Sequence, residues 1–203
     1  MMFENVTFVG PPVDDPALLD DLPAELGDIL RQVNGAVAFR GGFHLRGACT
    51  APAWHSLRAA WRGPESVAAR YPAAVRAADV PFAQDALGDQ FLLRDGTVHR
   101  LAAETGDLEA LGVSLGAFLE RVGANAVEYL ALAPLLAFER DTGGRLEPGQ
   151  LLSAYPPFCT KEAAAGVSLR AVPAVERLAF LADFARQVAG LADGTVAEVR
   201  VTP

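Results

Sequence analysis

The chain has 203 residues, 51% hydrophobic and 21% charged, with 17 Lys and Arg against 25 Asp and Glu, a formal net charge of -8. That is enough apolar material for one large packed domain, and it excludes a disordered chain. The acidic balance argues against direct phosphate binding to nucleic acid, which needs clustered Lys or Arg, and disfavours anionic membrane surfaces; it permits a basic protein partner, although solubility alone accounts for a mildly acidic chain.

The first segment, MMFENVTFVGPP, lacks a positive region followed by an apolar run, so it does not read as a secretory signal. A helix is predicted next. Asp20 and Asp21 suit the positive end of a helix dipole and Pro23 suits its first turn, while Leu22, Leu26, Ile29, Leu30 and Val33 form one apolar stripe. Asn34-Gly35 supplies the stop, since both residues tolerate left-handed backbone. Ala36–Phe39 and Gly42–Leu45 read as strands. PAWHSLRAAWRG reads as a second helix, with Trp54, Leu57 and Trp61 at i, i+3 and i+7 on one face, a core stripe before it is a binding platform. ESVAARYP continues as helix or turn.

The stretch VPFAQDALGDQFLLRDGTV reads as a strand from Val80, a polar turn reversed at Gly88, and two strands, Gln90–Arg94 and Thr97–Leu101, joined by Asp95-Gly96. Asp-Gly favours a type I′ hairpin because both central residues need positive φ. Phe91 and Leu93 should face one side and Leu92 the other, in a central strand covered on both faces. Beyond it, Ala124–Arg140 reads as one long helix ending at Gly143-Gly144, EPGQ as a turn and Val167–Val172 as a strand. A final helix follows with the stripe Val175, Leu178, Leu181, Phe184, Val188 and Leu191, then TVAEVRV as a terminal strand. The longest apolar run, Ala126–Phe138, carries Glu128 and Pro134 and is too short to span a bilayer. The expectation is a soluble, cytoplasmic α+β protein, a mostly antiparallel β-sheet with helices packed against it.

Chemistry-bearing motifs are sparse. A phosphate loop and a Gly-x-Ser-x-Gly elbow are both absent. Cys49 and Cys159 form no Cys-x-x-Cys pair, and His44, His55 and His99 lack helical ligand spacing, so neither a metal nor a cofactor is expected. His44 and His99 read as outward residues of strands, His55 as a polar position on a helix. The acids Asp79, Asp85, Asp89 and Asp95 are the remaining candidates. They do not follow an EF-hand spacing. Asp85 fits an Asx-type turn former, with catalysis or metal binding as the alternative use of these carboxylates.

The helix ending in Asn34-Gly35 and the later run Pro81, Phe82, Ala83, Asp85, Gly88, Asp89 and Phe91 resemble the SMI1/KNR4 family, the SUKH superfamily, whose pattern is hydrophobic-Pro-Phe-Ala-x-Asp-x-x-Gly-Asp-x-Phe leading into a hairpin. The resemblance covers Asp14 to Val122. Residues 123–203, through LLSAYPP, SLRAVP and the last helix, look more like the C-terminal part of GAD-like/DUF1851 immunity proteins. The two segments are expected to form a core, 14–122, with an elaboration, 123–203, packed on it. The resemblance implies a non-enzymatic role: many bacterial members are immunity proteins that bind a cognate toxin, often a nuclease or deaminase domain with a basic cleft. Asp79, Asp85, Asp89, Trp54 and Trp61 are then the candidate partner contacts. An enzyme using the Asp79–Asp95 carboxylates with His99, and a regulatory scaffold as for eukaryotic relatives, are the alternatives.

Overall fold

The computed structural model describes residues 3–130, 132–192 and 194–195. Its elements run β1 (Phe8–Val9), α1 (Pro16–Asp21), α2 (Ala24–Gln32), β2 (Ala36–Ala38), β3 (Phe43–Leu45), α3 (Leu57–Arg62), α4 (Val67–Arg70), β4 (Val80–Asp85), β5 (Gln90–Arg94), β6 (Thr97–Leu101) and β7 (Leu108–Ala110). Then come α5 (Leu115–Ala124), α6 (Ala126–Tyr129), α7 (Ala133–Thr142), β8 (Gln150–Tyr155), β9 (Ser168–Pro173) and α8 (Ala174–Val188). Strands β1 to β7 form one antiparallel sheet in chain order, and β8 and β9 form a separate antiparallel ribbon. The α+β architecture expected from the sequence is the one observed. The sheet starts before Asp14, at Phe8.

Both faces of the sheet are covered. Phe91 and Leu93 join a core with Leu26, Leu30, Phe43 and Phe118, while Leu92 joins a second core with Tyr71, Leu101 and Leu181. The alternation matches the sequence. At about 2 kcal/mol per buried large apolar side chain, a one-residue slip of β5 is prohibitive. Asp95 (φ 50) and Gly96 (φ 79) close the β5–β6 hairpin with the two positive φ values a type I′ turn needs. The C-terminal ribbon packs on the meander. Leu152 donates its N–H to Ala86 O at 2.8 Å, and Leu181 of α8 reaches Gly88.

Several elements differ from expectation. The first helix is two, α1 and α2, and its last stripe residue, Val33, is exposed. Gly35 alone takes the left-handed conformation (φ 78), and Asn34 works through its side chain, which accepts from Ala48 N at 2.7 Å and donates to Pro11 O at 2.8 Å. The helix expected over Ala124–Arg140 is broken. Asn125 caps α6 by accepting from Glu128 N, and Pro134 sits in the first turn of α7, where its missing N–H does no harm. Strand β8, the partner of β9, was not expected, although the EPGQ turn that leads into it was. In α8 the stripe holds at Leu181 and Phe184, but Val175 and Leu191 are exposed and Arg177 is buried. All but the first residue of the expected terminal strand TVAEVRV lies outside the described residues.

Candidate functional site

The four acids do not converge. Asp79 and Asp95 sit at one end of β5, Asp85 and Asp89 at the other, separated by about 14 Å at the usual strand rise. Asp79, 2% exposed, takes Nε and Nη2 of Arg94 at 2.9 and 2.6 Å and the N–H of Arg76 at 2.7 Å. Burial would raise its pKa, but the hydrogen bonds and charge of Arg94, with the Arg76 amide, hold it below the ordinary carboxylate value. It is a clasp between β5 and the loop before β4. Asp95 is exposed and pairs with Arg76.

Asp85 closes the turn after β4. Its Oδ1 accepts three backbone N–H groups, from Leu87, Gly88 and Asp89, at 2.9, 3.0 and 3.0 Å. This is the Asx-type turn expected from the sequence. Gly88 (φ 100) is required here, since an added Cβ would stand 2.8 Å from Leu181 Cδ1. Asp89 reaches forward: Oδ1 accepts from Ala103 N at 2.9 Å, and Oδ2 accepts from Nε and Nη2 of Arg100 at 2.9 and 2.6 Å. Asp85 Oδ2 is buried with no hydrogen-bond partner among the described residues, and Arg100 Nη2 stands 4.0 Å away. Burial pushes the Asp85 carboxyl up to about 8 and the Asp89 charge adds to the rise, against the opposing pull of Arg100 and the turn amides. The acid is therefore largely protonated at neutral pH. Its Oδ2 is sealed from solvent, so that proton is not presented to a bound molecule.

Beside this turn lies a pocket of about 330 Å³, walled by Leu87, Ala102, Pro134 and Phe158, with Asp89, Arg100, Glu104 and Cys159 also on its lining. Its charges are paired within the chain. Glu104 accepts from Arg177 Nη2 at 3.4 Å and from Cys159 N at 3.1 Å. Burial, then the Glu104 charge, raises the Cys159 thiol above its ordinary pKa, so it is no reactive thiolate. Phe158 and, on β8, Tyr155 expose 40% and 77% of their surface. The wall suits an apolar or amphipathic side chain. Among the described residues no three His, Cys, Asp or Glu side chains gather to hold a metal ion.

The two tryptophans are not on one face. Ser56 accepts from Ala59 N at 3.2 Å and starts α3 at Leu57, so Trp54 lies in the preceding turn. Trp61 is buried, donating Nε1–H to Ala77 O at 3.0 Å. Trp54 is half-buried and packs on Phe8, His44 and His55, with ring centroids 5.0, 5.1 and 5.5 Å away.

His44 and His55 also depart from expectation. Both are buried, His44 because the sheet is covered on the face to which β3 directs it, His55 because it lies before the helix rather than on it. They belong to a polar chain that composition did not reveal. His55 Nε2 meets Asn34 O at 3.0 Å, His44 Nε2 meets His55 Nδ1 at 2.8 Å, and Gln84 Nε2 meets His44 Nδ1 at 3.3 Å. Arg46 donates Nη2 to Gln84 Oε1 at 2.7 Å and Gln90 Oε1 at 2.6 Å, and Gln90 Nε2 donates to Gly88 O at 2.6 Å. The ends fix the proton order. A carbonyl only accepts, so His55 Nε2 carries hydrogen; Nδ1 then accepts, and His44 Nε2 carries hydrogen in turn. Arg46 also donates Nη1 to Pro81 O at 2.7 Å and has no carboxylate partner among the described residues.

No family model matches the chain, and no curated protein matches it significantly. Among solved structures it is similar to the crystal structure of Atu4351 from Agrobacterium tumefaciens, with a TM-score of 0.56 and 14% sequence identity over 87% of this chain and 85% of that one. At that identity the likeness is one of fold alone. No helix of the described residues is long and apolar enough to cross a membrane.

Proposed function

We propose that this chain is a cytoplasmic, non-enzymatic protein-binding module of the SMI1/KNR4 type, an immunity protein that binds and neutralises a cognate bacterial toxin. The observation that carries the reading is how the signature acids are used. Asp85 and Asp89 are turned inward on their own turn amides, Ala103 and Arg100, so the motif builds a fold rather than a reactive centre. Beside that turn the pocket and the exposed ring of Phe158, with Tyr155 exposed at the end of β8, offer a partner the aromatic anchors on which interfaces concentrate their binding energy. The net charge of -8 steers encounter with a basic partner, such as a nuclease or deaminase domain built to hold phosphates. Asp79 and Asp85, at 2% and 1% exposure, act behind that surface rather than on it.

The test is to read the neighbouring genes for a toxin-like C-terminal domain, to co-purify this chain with that domain, and to follow with titration calorimetry. A complex at micromolar or tighter affinity is expected. Truncating Phe158 or Tyr155 to Ala should weaken it about tenfold, roughly 1.4 kcal/mol. No complex at micromolar concentration would sink the reading. A complex indifferent to both truncations would move the contact surface elsewhere.

A further inference from the structure

The buried pair His44–His55 sits where three segments meet. An added Cβ on Gly10, Gly35 or Gly47 would lie 2.5, 2.6 and 2.7 Å from the His55 ring, so three glycines from three segments clamp one imidazole. The ring has no room to turn, and its hydrogen bond to Asn34 O leaves Nδ1 as an acceptor only. What it anchors is the weakest part of the sheet. Strand β1 has two residues at the sheet edge, held by bonds such as Thr7 N–H to Val37 O and Gly10 N–H to Gly35 O, each 2.9 Å. Phe8 packs edge-on to His55 at a centroid distance of 5.0 Å.

We infer that the His44–His55 pair is an acid-operated latch on the N-terminal edge of the sheet. Its proton-ordered chain holds β1 and the Trp54 turn in place while both rings are neutral, and releases them when either ring gains a proton. A proton on His55 Nδ1 would set two N–H groups against each other across 2.8 Å, and one on His44 Nδ1 would face the Gln84 amide nitrogen. Neither charge finds relief. Arg46, directly after β3, faces the pair, with Arg70 of α4 behind it. The other neighbours, Gln84 of β4, Val37 of β2, Asn34, and Phe8 and Trp54, are uncharged. No carboxylate pairs with either ring among the described residues. The cheapest response is local: β1 and the Trp54 turn swing out and let water reach the rings, leaving the central strands paired. Burial and Arg46 lower both histidines below their ordinary value, so the latch is closed at neutral pH and opens only as pH falls well below about 6.5.

The experiment is a pH titration of the wild-type protein by NMR, following the histidine ring nitrogens and amide exchange together. Both rings should stay neutral until the Thr7 and Gly10 amides lose protection. Below that point, exchange at β1, corrected for intrinsic rate, should rise about tenfold per pH unit while β4 and β5 amides stay protected. The double variant His44→Gln/His55→Gln should lose this pH dependence. If that variant does not fold, the wild-type titration decides alone. Protonation of either ring near 6.5 with β1 still protected would overturn the inference, as would loss of β1 and β5 protection in one step.

Discussion

Two buried polar systems meet at Gly88 and treat their charges in opposite ways. On one side, the chain from Asn34 through His55, His44, Gln84 and Gln90 to Gly88 O passes hydrogen bonds from residue to residue, and none of its side-chain nitrogens or oxygens is both buried and unpaired. On the other, Asp85 satisfies Oδ1 three times over and leaves Oδ2 without a hydrogen-bond partner among the described residues. The first system carries a guanidinium, Arg46, which burial and then Arg70 lower to about 9, so it stays charged at neutral pH. The second carries an acid that sheds its charge instead. Burial penalises both groups. What separates them is the supply of partners: four oxygen acceptors surround Arg46, whereas Asp85 Oδ2 has only Arg100, 4.0 Å off and already committed to Asp89.

The comparison breaks most violently at Arg46. Replacing it with Ala removes donors from Pro81 O, Ala83 O, Gln84 Oε1 and Gln90 Oε1 at the centre of the sheet. At about 1–3 kcal/mol for each buried group left unpaired, with some relief from water, we expect a loss of about 3 kcal/mol or more, read as a lower urea midpoint. A loss under about 1 kcal/mol would mean that the network is ornamental.

Asp89 should come next. Asp89→Ala strands the Arg100 guanidinium and the Ala103 N–H, and about 2–3 kcal/mol of destabilisation is expected by the same measurement. Gly88→Ala tests the turn by sterics alone. A left-handed residue with its Cβ 2.8 Å from Leu181 should cost about 1–3 kcal/mol, less if α8 yields, and the retained charges make it a control for the acid variants. Equal effects of Asp89→Ala and Asp85→Asn would erase the distinction drawn between the two acids.

How much of this was legible follows from what each feature depends on. The β4–β6 region was readable because its determinants are local: alternation in Gln90–Arg94, Asp95-Gly96 for the hairpin, Asp85 and Gly88 three residues apart for the turn. The polar chain was not, because its members lie up to 56 positions apart in sequence and meet only when β3, β4, β5 and the turn before α3 assemble. His44 alternates like an exposed strand residue, and nothing nearby says that its face is covered. Arg46 reads as one more surface arginine. Trp54 shows the limit of periodicity: its spacing to Trp61 is helical, but Ser56 starts the helix two residues too late for it. Tyr155 and Phe158 give no signal of their own, because exposure is not encoded in residue type.

The smallest predicted change is the sharpest test. Asp85→Asn is nearly isosteric with the protonated acid. Its Oδ1 can still accept from Leu87, Gly88 and Asp89, and the neutral amide removes the need to hold a proton. In the wild type the folded carboxyl titrates near 8 and the unfolded one near 3.8, so between these values the folded state binds the extra proton. Stability from this group is therefore fully present below about 3.8 and lost as pH rises through about 8, at up to 1.4 kcal/mol per pH unit. The histidine pair runs the other way, with its contribution present above about 6.5 and lost in acid. Asp85→Asn should accordingly lie within about 1 kcal/mol of wild type near pH 5 and become the more stable protein as pH rises toward 8. Urea midpoints measured from pH 5 to 9 would show the two curves crossing. Parallel curves would mean that Asp85 is ionised in the folded protein and that Oδ2 has a partner after all. A uniform loss of more than about 2 kcal/mol would mean that the turn needs the carboxylate charge itself.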